Sequence, residues 1–170
     1  MSLEKMIIII GEESPSKIAL LEQLQTDYNM YIPRRFTTNS EYDVYPSLYQ
    51  VVDQNEVAEY INKGNIKSIG YTKNGLAFNI SKEIGQGIAD LYNGEVPGII
   101  LNADTTELGY YVKMYPSASI LGYADDYEDL DQFKEILPDI ITKEDVDTAK
   151  AISKVMSYIT TQDNHKTMTI

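Results

Sequence analysis

The 170-residue chain has no cysteine, no tryptophan, one histidine and only two arginines, Arg34 and Arg35, which are adjacent. Without cysteine there is no disulfide, no thiolate metal site and no cysteine nucleophile. No apolar run approaches the ~20 residues that cross a bilayer as a helix. The opening residues, Met1 to Met6, carry no hydrophobic signal region, and the four isoleucines that follow are too few to supply one. A soluble cytoplasmic protein is therefore the expectation. Cations are scarce as well: 14 Lys and Arg stand against 26 Asp and Glu, a net charge of −12. That balance repels nucleic acid and anionic membranes, so neither is an expected partner. It also works against an enzyme that must hold two polyphosphates, unless cations are gathered locally. The lone histidine, His165, lies in the tail away from any motif and carries no assigned role.

Hydrophobic residues make up 43 % of the chain, enough for one core in one domain-sized unit. The aromatic content is almost all tyrosine, 14 against 3 phenylalanines, which suits half-buried packing with the hydroxyl in water. Ile7 to Ile10 is a short β-branched run ending at Gly11, as in a strand buried on both faces. Ser14 is a candidate N-cap and Pro15 suits the first turn of a helix over Ser16 to Gln25. Tyr31 to Thr37 and Leu48 to Val52 read as extended, and Asn55 to Lys63 as a short helix ended by Gly64. Ile66 to Tyr71 and Leu76 to Ile80 are candidates for a hairpin across Lys73-Asn74-Gly75. A helix over Ser81 to Leu91 closes at Asn93-Gly94. Gly98 to Ala103 and Ala118 to Gly122 read as further buried strands, with a helix from Thr105 to Met114 between them. Ala124 to Glu135 is an acidic segment read as a solvated helix start, because carboxylates favour the first turn. No carboxylate spacing there suggests a metal loop. A last helix is expected over Lys143 to Tyr158, with Gln162 to Ile170 a loose tail. Strands alternate with helices at both ends and a β-rich section lies between, which predicts an α/β core with a parallel sheet and an inserted subdomain.

A strand, then G-x-x-x-x-G-K-[ST], then a helix is the phosphate-cradling P-loop. Here the loop reads Gly11-Glu12-Glu13-Ser14-Pro15-Ser16-Lys17-Ile18. The first glycine and the lysine match. Ser16 replaces the second glycine, which lets the backbone N–H groups turn toward phosphate oxygens. Ile18 replaces the hydroxyl that ligates Mg²⁺. Pro15 removes a donor. Glu12 and Glu13 set negative charge where polyphosphate would lie; at ~4 Å and an effective dielectric of about 20 each such contact costs roughly 4 kcal/mol before screening. Gly11, Ser14, Ser16 and Lys17 are the candidate phosphate-binding residues of a degenerate loop. Alone, the motif is equally an ordinary strand-to-helix turn with a serine cap.

The rest of the chain resembles the guanylate kinase family, P-loop nucleoside-monophosphate kinases. Phe36-Thr37-Thr38-Asn39 resembles a family segment ending Thr-Thr-Arg. Tyr49-Gln50-Val51-Val52-Asp53 with Glu56-Val57 resembles Tyr-x-Phe-Val-Ser and the helix after it. Asn62 to Ile66 resembles the Asn-Gly-Glu-Phe turn, Phe78-Asn79-Ile80-Ser81-Lys82 resembles Tyr-Gly-Thr-Ser-Lys, and Ile99 to Asp104 resembles a strand ending Leu-Asp-Ile-Asp. Order and spacing agree from about Ile7 to Gly122. The resemblance implies a P-loop NTPase-like three-layer core at 1–30 and 93–170, with a lid at about 124–142. It implies an inserted mixed α/β, monophosphate-binding-like subdomain at 31–92. It also implies phosphoryl transfer from ATP to GMP.

The residues that would carry that activity are largely replaced. The two arginines that grip the GMP phosphate fall at Asn39 and Tyr42. Tyr49 is retained. The guanine-reading glutamate falls at or beside Ser68, the second phosphate-binding tyrosine at Phe78, and the guanine-reading hydroxyl near Ile80. The paired aspartates become Asn102 and Asp104, and the acidic lid has no arginine. Phosphoryl transfer rests on positioning and on cationic stabilisation, and one arginine finger is worth about 10³ to 10⁵ in rate. A catalytically degenerate relative acting as a binding or regulatory module is the first expectation, with no catalytic residue, no metal and no required cofactor. Arg34, Arg35, Thr37, Thr38, Tyr49, Phe78 and Asp104 form the monophosphate-site-like set, with the two arginines either a residual anion site or a surface pair balancing an acidic protein. The tyrosines at 42, 45, 49, 71 and 123 are candidate anchors for a protein or peptide in the cleft. The alternative is an active ATP:GMP phosphotransferase with atypical residues, using ATP, GMP and Mg²⁺.

Overall fold

The computed structural model describes residues 5–72, 75–126, 131 and 135–168, with backbone alone at 72 and 160–168. β1 (Met6–Ile10) lies between β6 (Ile99–Ala103) and β7 (Ser119–Ala124), and β8 (Ile140–Thr142) completes a four-stranded sheet in the order β6-β1-β7-β8. Every pairing in this sheet is parallel. Alternate residues of β1 serve opposite layers, as the strand period of two requires. Ile7 and Ile9 pack with Ile18, Leu21 and Leu24 of α1 (Pro15–Asp27) and with Ile152 and Val155 of α6 (Lys150–Met168). Met6, Ile8 and Ile10 pack on the other side with Ile84 of α3 (Ser81–Tyr92) and with Leu108 and Tyr111 of α4 (Leu108–Met114). Helices therefore cover both faces, which is why β1 is apolar at every position.

A second sheet lies within 31–92, in the order β3-β2-β5-β4. Its strands are β2 (Arg35–Thr37), β3 (Tyr49–Val51), β4 (Ile66–Thr72) and β5 (Gly75–Ile80). One face carries its own small core, in which Phe36, Val52, Phe78 and Ile80 meet Val57 of α2 (Gln54–Asn62). The other face turns toward the ends of β1 and β6. β4 and β5 form the expected antiparallel hairpin, with a bulge between Ile66 and Ser68. Lys73 and Asn74 of its turn lie outside the described residues.

Four expectations need correction. β8 was not anticipated: with three residues it is too short to show periodicity. The helix expected over Lys143 to Tyr158 is two helices, α5 (Lys143–Asp147) and α6, broken where Ala149 takes φ +63°. The tail expected to be loose from Gln162 continues as helix to Met168. The segment expected as a helix over Thr105 to Met114 opens with a 3-10 turn, Thr105–Glu107. Of the acidic segment, Ala124 ends β7, and 127–130 and 132–134 lie outside the described residues.

Candidate functional site

β1 ends at Gly11, where a Cβ would lie 1.9 Å from the Tyr123 carbonyl oxygen. The close crossing of two backbones is the reason for this glycine. Ser14 then caps α1, its hydroxyl accepting from the Lys17 N–H at 3.2 Å, with Pro15 in the first turn. The same hydroxyl donates to Asp125 at 2.9 Å, and Tyr123 also donates to that carboxylate at 2.8 Å. Burial, together with Asp125, pushes the Tyr123 phenol up to about 12.

An αR-αL anion nest turns its backbone through the left-handed region, and no residue from Gly11 to Lys17 has positive φ. The loop's centre is filled by a side chain of its own. Glu13 Oε1 lies 3.6 Å from Lys17 Nζ, and Glu13 Oε2 accepts from Asn102 Nδ2 at 3.0 Å. Lys17 is 1 % exposed and donates to the carbonyls of Gly11 at 2.8 Å and Ala103 at 3.1 Å. Desolvation pulls its pKa below the usual lysine value, and Glu13 opposes that shift. The space left among Gly11, Glu13, Lys17, Tyr49 and Asn102 is about 10 Å³, room for roughly one water molecule.

Arg35 is the second buried cation. It donates to Glu107 Oε1 at 2.6 Å and Oε2 at 3.2 Å, to the Asn102 carbonyl at 2.8 Å and to the Ala77 carbonyl at 3.1 Å. Burial lowers its pKa, but Glu107 outweighs that and holds it above the usual arginine value. The Glu107 carboxylate also accepts from Ser68 Oγ at 2.5 Å and from the Asp104 N–H at 3.1 Å. Ser68 meets the Tyr111 hydroxyl, which accepts from Asn79 Nδ2 at 2.6 Å, and Asn79 reaches the Asn102 carbonyl at 3.2 Å. Gly70 leaves room for the ion pair: a Cβ there would sit 2.3 Å from Glu107 Oε1.

Gly11, Lys17, Arg35, Thr37, Tyr49 and Asp104 of the candidate set thus converge on one cleft. The others do not. Arg34 points away from Arg35, is partly exposed, and pairs with Glu83 at 3.3 Å and Gln50 at 2.9 Å. Phe78 is fully buried in the core of the second sheet. The Thr38 hydroxyl accepts from the Leu76 N–H at 3.4 Å. Asp104 does line the cleft, and its carboxylate caps the 3-10 turn through the Thr105 N–H at 2.7 Å. Each guanidinium has its own carboxylate, Glu83 for Arg34 and Glu107 for Arg35. Of the proposed aromatic anchors, Tyr42 stacks on Tyr49 at 4.6 Å and Tyr123 is buried, while Tyr71 is 66 % exposed outside the cleft. Glu107, Asn79 and Tyr111 were missed by sequence reasoning. The one signal was Asp104-x-x-Glu107, which reads as a capping box.

The chain resembles in fold the crystal structure of guanylate kinase from Anaplasma phagocytophilum, with a TM-score of 0.63. The alignment covers 91 % of this chain and 85 % of that one, at 16 % sequence identity. This is a guanylate-kinase-like fold. At that identity the likeness establishes the architecture alone. No protein-family model matches the chain, and no characterised protein matches it by sequence. Within the guanylate-kinase-like frame, Lys17 and Arg35 stand on the two sides of the cleft, each already paired with a carboxylate of the chain.

Proposed function

We propose that this protein is a catalytically silent, guanylate-kinase-like binding module whose own carboxylates occupy the places of nucleotide phosphates. The observation that carries this reading is Glu13 seated on Lys17 in a loop without a left-handed residue, with about 10 Å³ of free space beside it. A phosphoryl group entering there must displace a carboxylate from a buried ammonium. Arg35 is committed in the same way to Glu107. Ile18 offers no Mg²⁺ ligand, and among the described residues no cluster of three or more His, Cys, Asp or Glu could hold a metal. Phosphoryl transfer needs uncommitted cations and a metal at the transferring group, and the two cations that line this cleft, Lys17 and Arg35, are each paired with a carboxylate.

The reading requires no cofactor, and its partner is a protein or peptide rather than nucleic acid or membrane, in keeping with the charge of −12. Among the described residues no helix is long and apolar enough to cross a membrane; a cytoplasmic location is part of the proposal. The test is a coupled turnover assay with ATP and GMP, alongside thermal shift with each nucleotide in the presence and absence of Mg²⁺. No turnover and no shift are expected. Turnover at ordinary kinase rates would overturn the proposal and favour the atypical phosphotransferase.

A further inference from the structure

The closed cleft leaves little room for a partner, but a groove of about 470 Å³ lies on the outer side of the second sheet. Its floor is β4, the edge strand of that sheet. One wall is the end of α2, with Ile61 and Gly64; the other is Thr106 and Tyr110. Ile61 is 54 % exposed and Tyr71, which also lines the groove, 66 %. Apolar lining of this size matches an ordinary ligand groove.

Part of the backbone along the floor is open to pairing. In the β4–β5 ladder, Ile69 faces Phe78 and Tyr71 faces Leu76. The Leu76 N–H goes to the Thr38 hydroxyl and the Leu76 carbonyl accepts from the Thr38 N–H at 3.3 Å, so Leu76, and by alternation Phe78, turn their polar groups away from β4. Ile69 and Tyr71 therefore turn theirs outward. The Tyr71 N–H meets the Thr106 hydroxyl at 3.4 Å, and the groups of Ile69 face the groove. The bulge between Ile66 and Ser68 places Lys67 on the lining. Among the described residues Lys67 has no carboxylate partner, and the groove's one acidic residue, Glu107, is spent on Arg35.

We propose that this groove binds an extended peptide segment of a partner protein, added as a strand to β4, with alternate aliphatic side chains and an acidic residue facing Lys67. This rests on the binding-module reading and places the partner on the outer edge instead of the cleft. Strand addition obtains affinity from main-chain hydrogen bonds and selectivity from alternate side-chain pockets. A cationic, apolar groove on a chain of charge −12 selects an acidic segment and discourages a second copy of this acidic chain.

The test is selection of a phage-displayed random dodecapeptide library on the full chain. Recovered peptides are expected to alternate aliphatic with Asp or Glu residues, and to slow amide exchange at Ile69. Ile61→Asp alters an exposed side chain and Lys67→Glu a half-buried one, and both should keep the parent melting point while weakening the peptides at least about tenfold. A library that fails to enrich, peptides indifferent to both variants, or protection confined to Thr37–Asn39 overturns the proposal. So does sedimentation showing a dimer that Lys67→Glu dissociates. If the chain turns over ATP and GMP while the peptides behave as expected, the catalytic silence falls and the edge groove stands.

Discussion

Arg35 of β2 and Glu107, after β6, meet as a buried pair, with guanidinium nitrogen and carboxylate oxygen 2.6 Å apart and both side chains at 3 % exposure or less. The pair joins the second sheet to the end of the first. Buried ion pairs gain little over apolar packing, yet losing one partner strands a charge and costs about 3–5 kcal/mol. Here Glu107→Ala would strand Arg35 and also remove the acceptor of Ser68 and of the Asp104 N–H. The expected loss is about 4 kcal/mol in denaturant unfolding. A loss under about 1 kcal/mol, the range of exposed pairs, would show that the contact does not hold the two sheets together.

Glu13 gives the second prediction. If its carboxylate takes the place of a phosphate, Glu13→Ala should release the Lys17 ammonium from its counter-charge and clear the space that the side chain fills. Inorganic phosphate should then raise the melting point of the variant, with a shift that grows with the logarithm of phosphate concentration. The parent should show none. Equal responses in parent and variant would mean that Glu13 is not what excludes anions.

Gly11 gives the third. A Cβ at this position would lie 1.9 Å from the Tyr123 carbonyl oxygen, and that oxygen belongs to the backbone of β7, with no flexible side chain to yield. Gly11→Ala should destabilise by about 3 kcal/mol. Gly85→Ala, where nothing lies within 4 Å of the added carbon, should be neutral or stabilising, because alanine suits a helix better. Similar melting points for the two variants would contradict the close crossing.

The tyrosines set an alkaline limit. Burial pushes Tyr31, Tyr111 and Tyr123 up to about 12, while unfolded tyrosines ionise near 10. A raised folded pKa contributes stability that is complete below the unfolded value and is lost as pH rises through the folded one. Unfolding free energy should therefore fall between about pH 10 and 12. Tyr111→Phe should flatten that slope while lowering stability at neutral pH, since Ser68 and Asn79 lose a partner. An unchanged alkaline slope in the variant would remove Tyr111 from the account.

Much of this architecture was legible because the strongest signals were local. The isoleucine run, the Ser14-Pro15 helix start and the positive-φ glycines at 64 and 94 act through a few residues each, and the structure uses them so. The cleft was legible only in part. That Glu12 and Glu13 oppose phosphate follows from charge, but that Glu13 folds inward onto Lys17 depends on Asn102, 89 positions away. Arg34 and Arg35 looked like one fork because they are adjacent, and strand alternation sends neighbours to opposite faces. Glu107 was hidden because its capping spacing describes only one of its bonds.

The break before α6 was not legible, and it offers the last test. Thr148 is the C-cap of α5, so Ala149 occupies the next position, where the chain commonly turns left-handed and glycine is preferred. Ala149 takes φ +63° with an exposed side chain. A non-glycine residue there bears about 1–2 kcal/mol of strain. Ala149→Gly should relieve part of it, offset by the greater freedom of unfolded glycine, and raise stability by about 0.5–1 kcal/mol. Ala151→Gly is the control, because that residue is helical, buried and part of the core around β1. It should lose about 1 kcal/mol from helix propensity alone, and more from the lost methyl. The two glycines should thus shift the melting point in opposite directions. If both lower it equally, α5 and α6 form one continuous helix in solution, and the left-handed turn at Ala149 is not there.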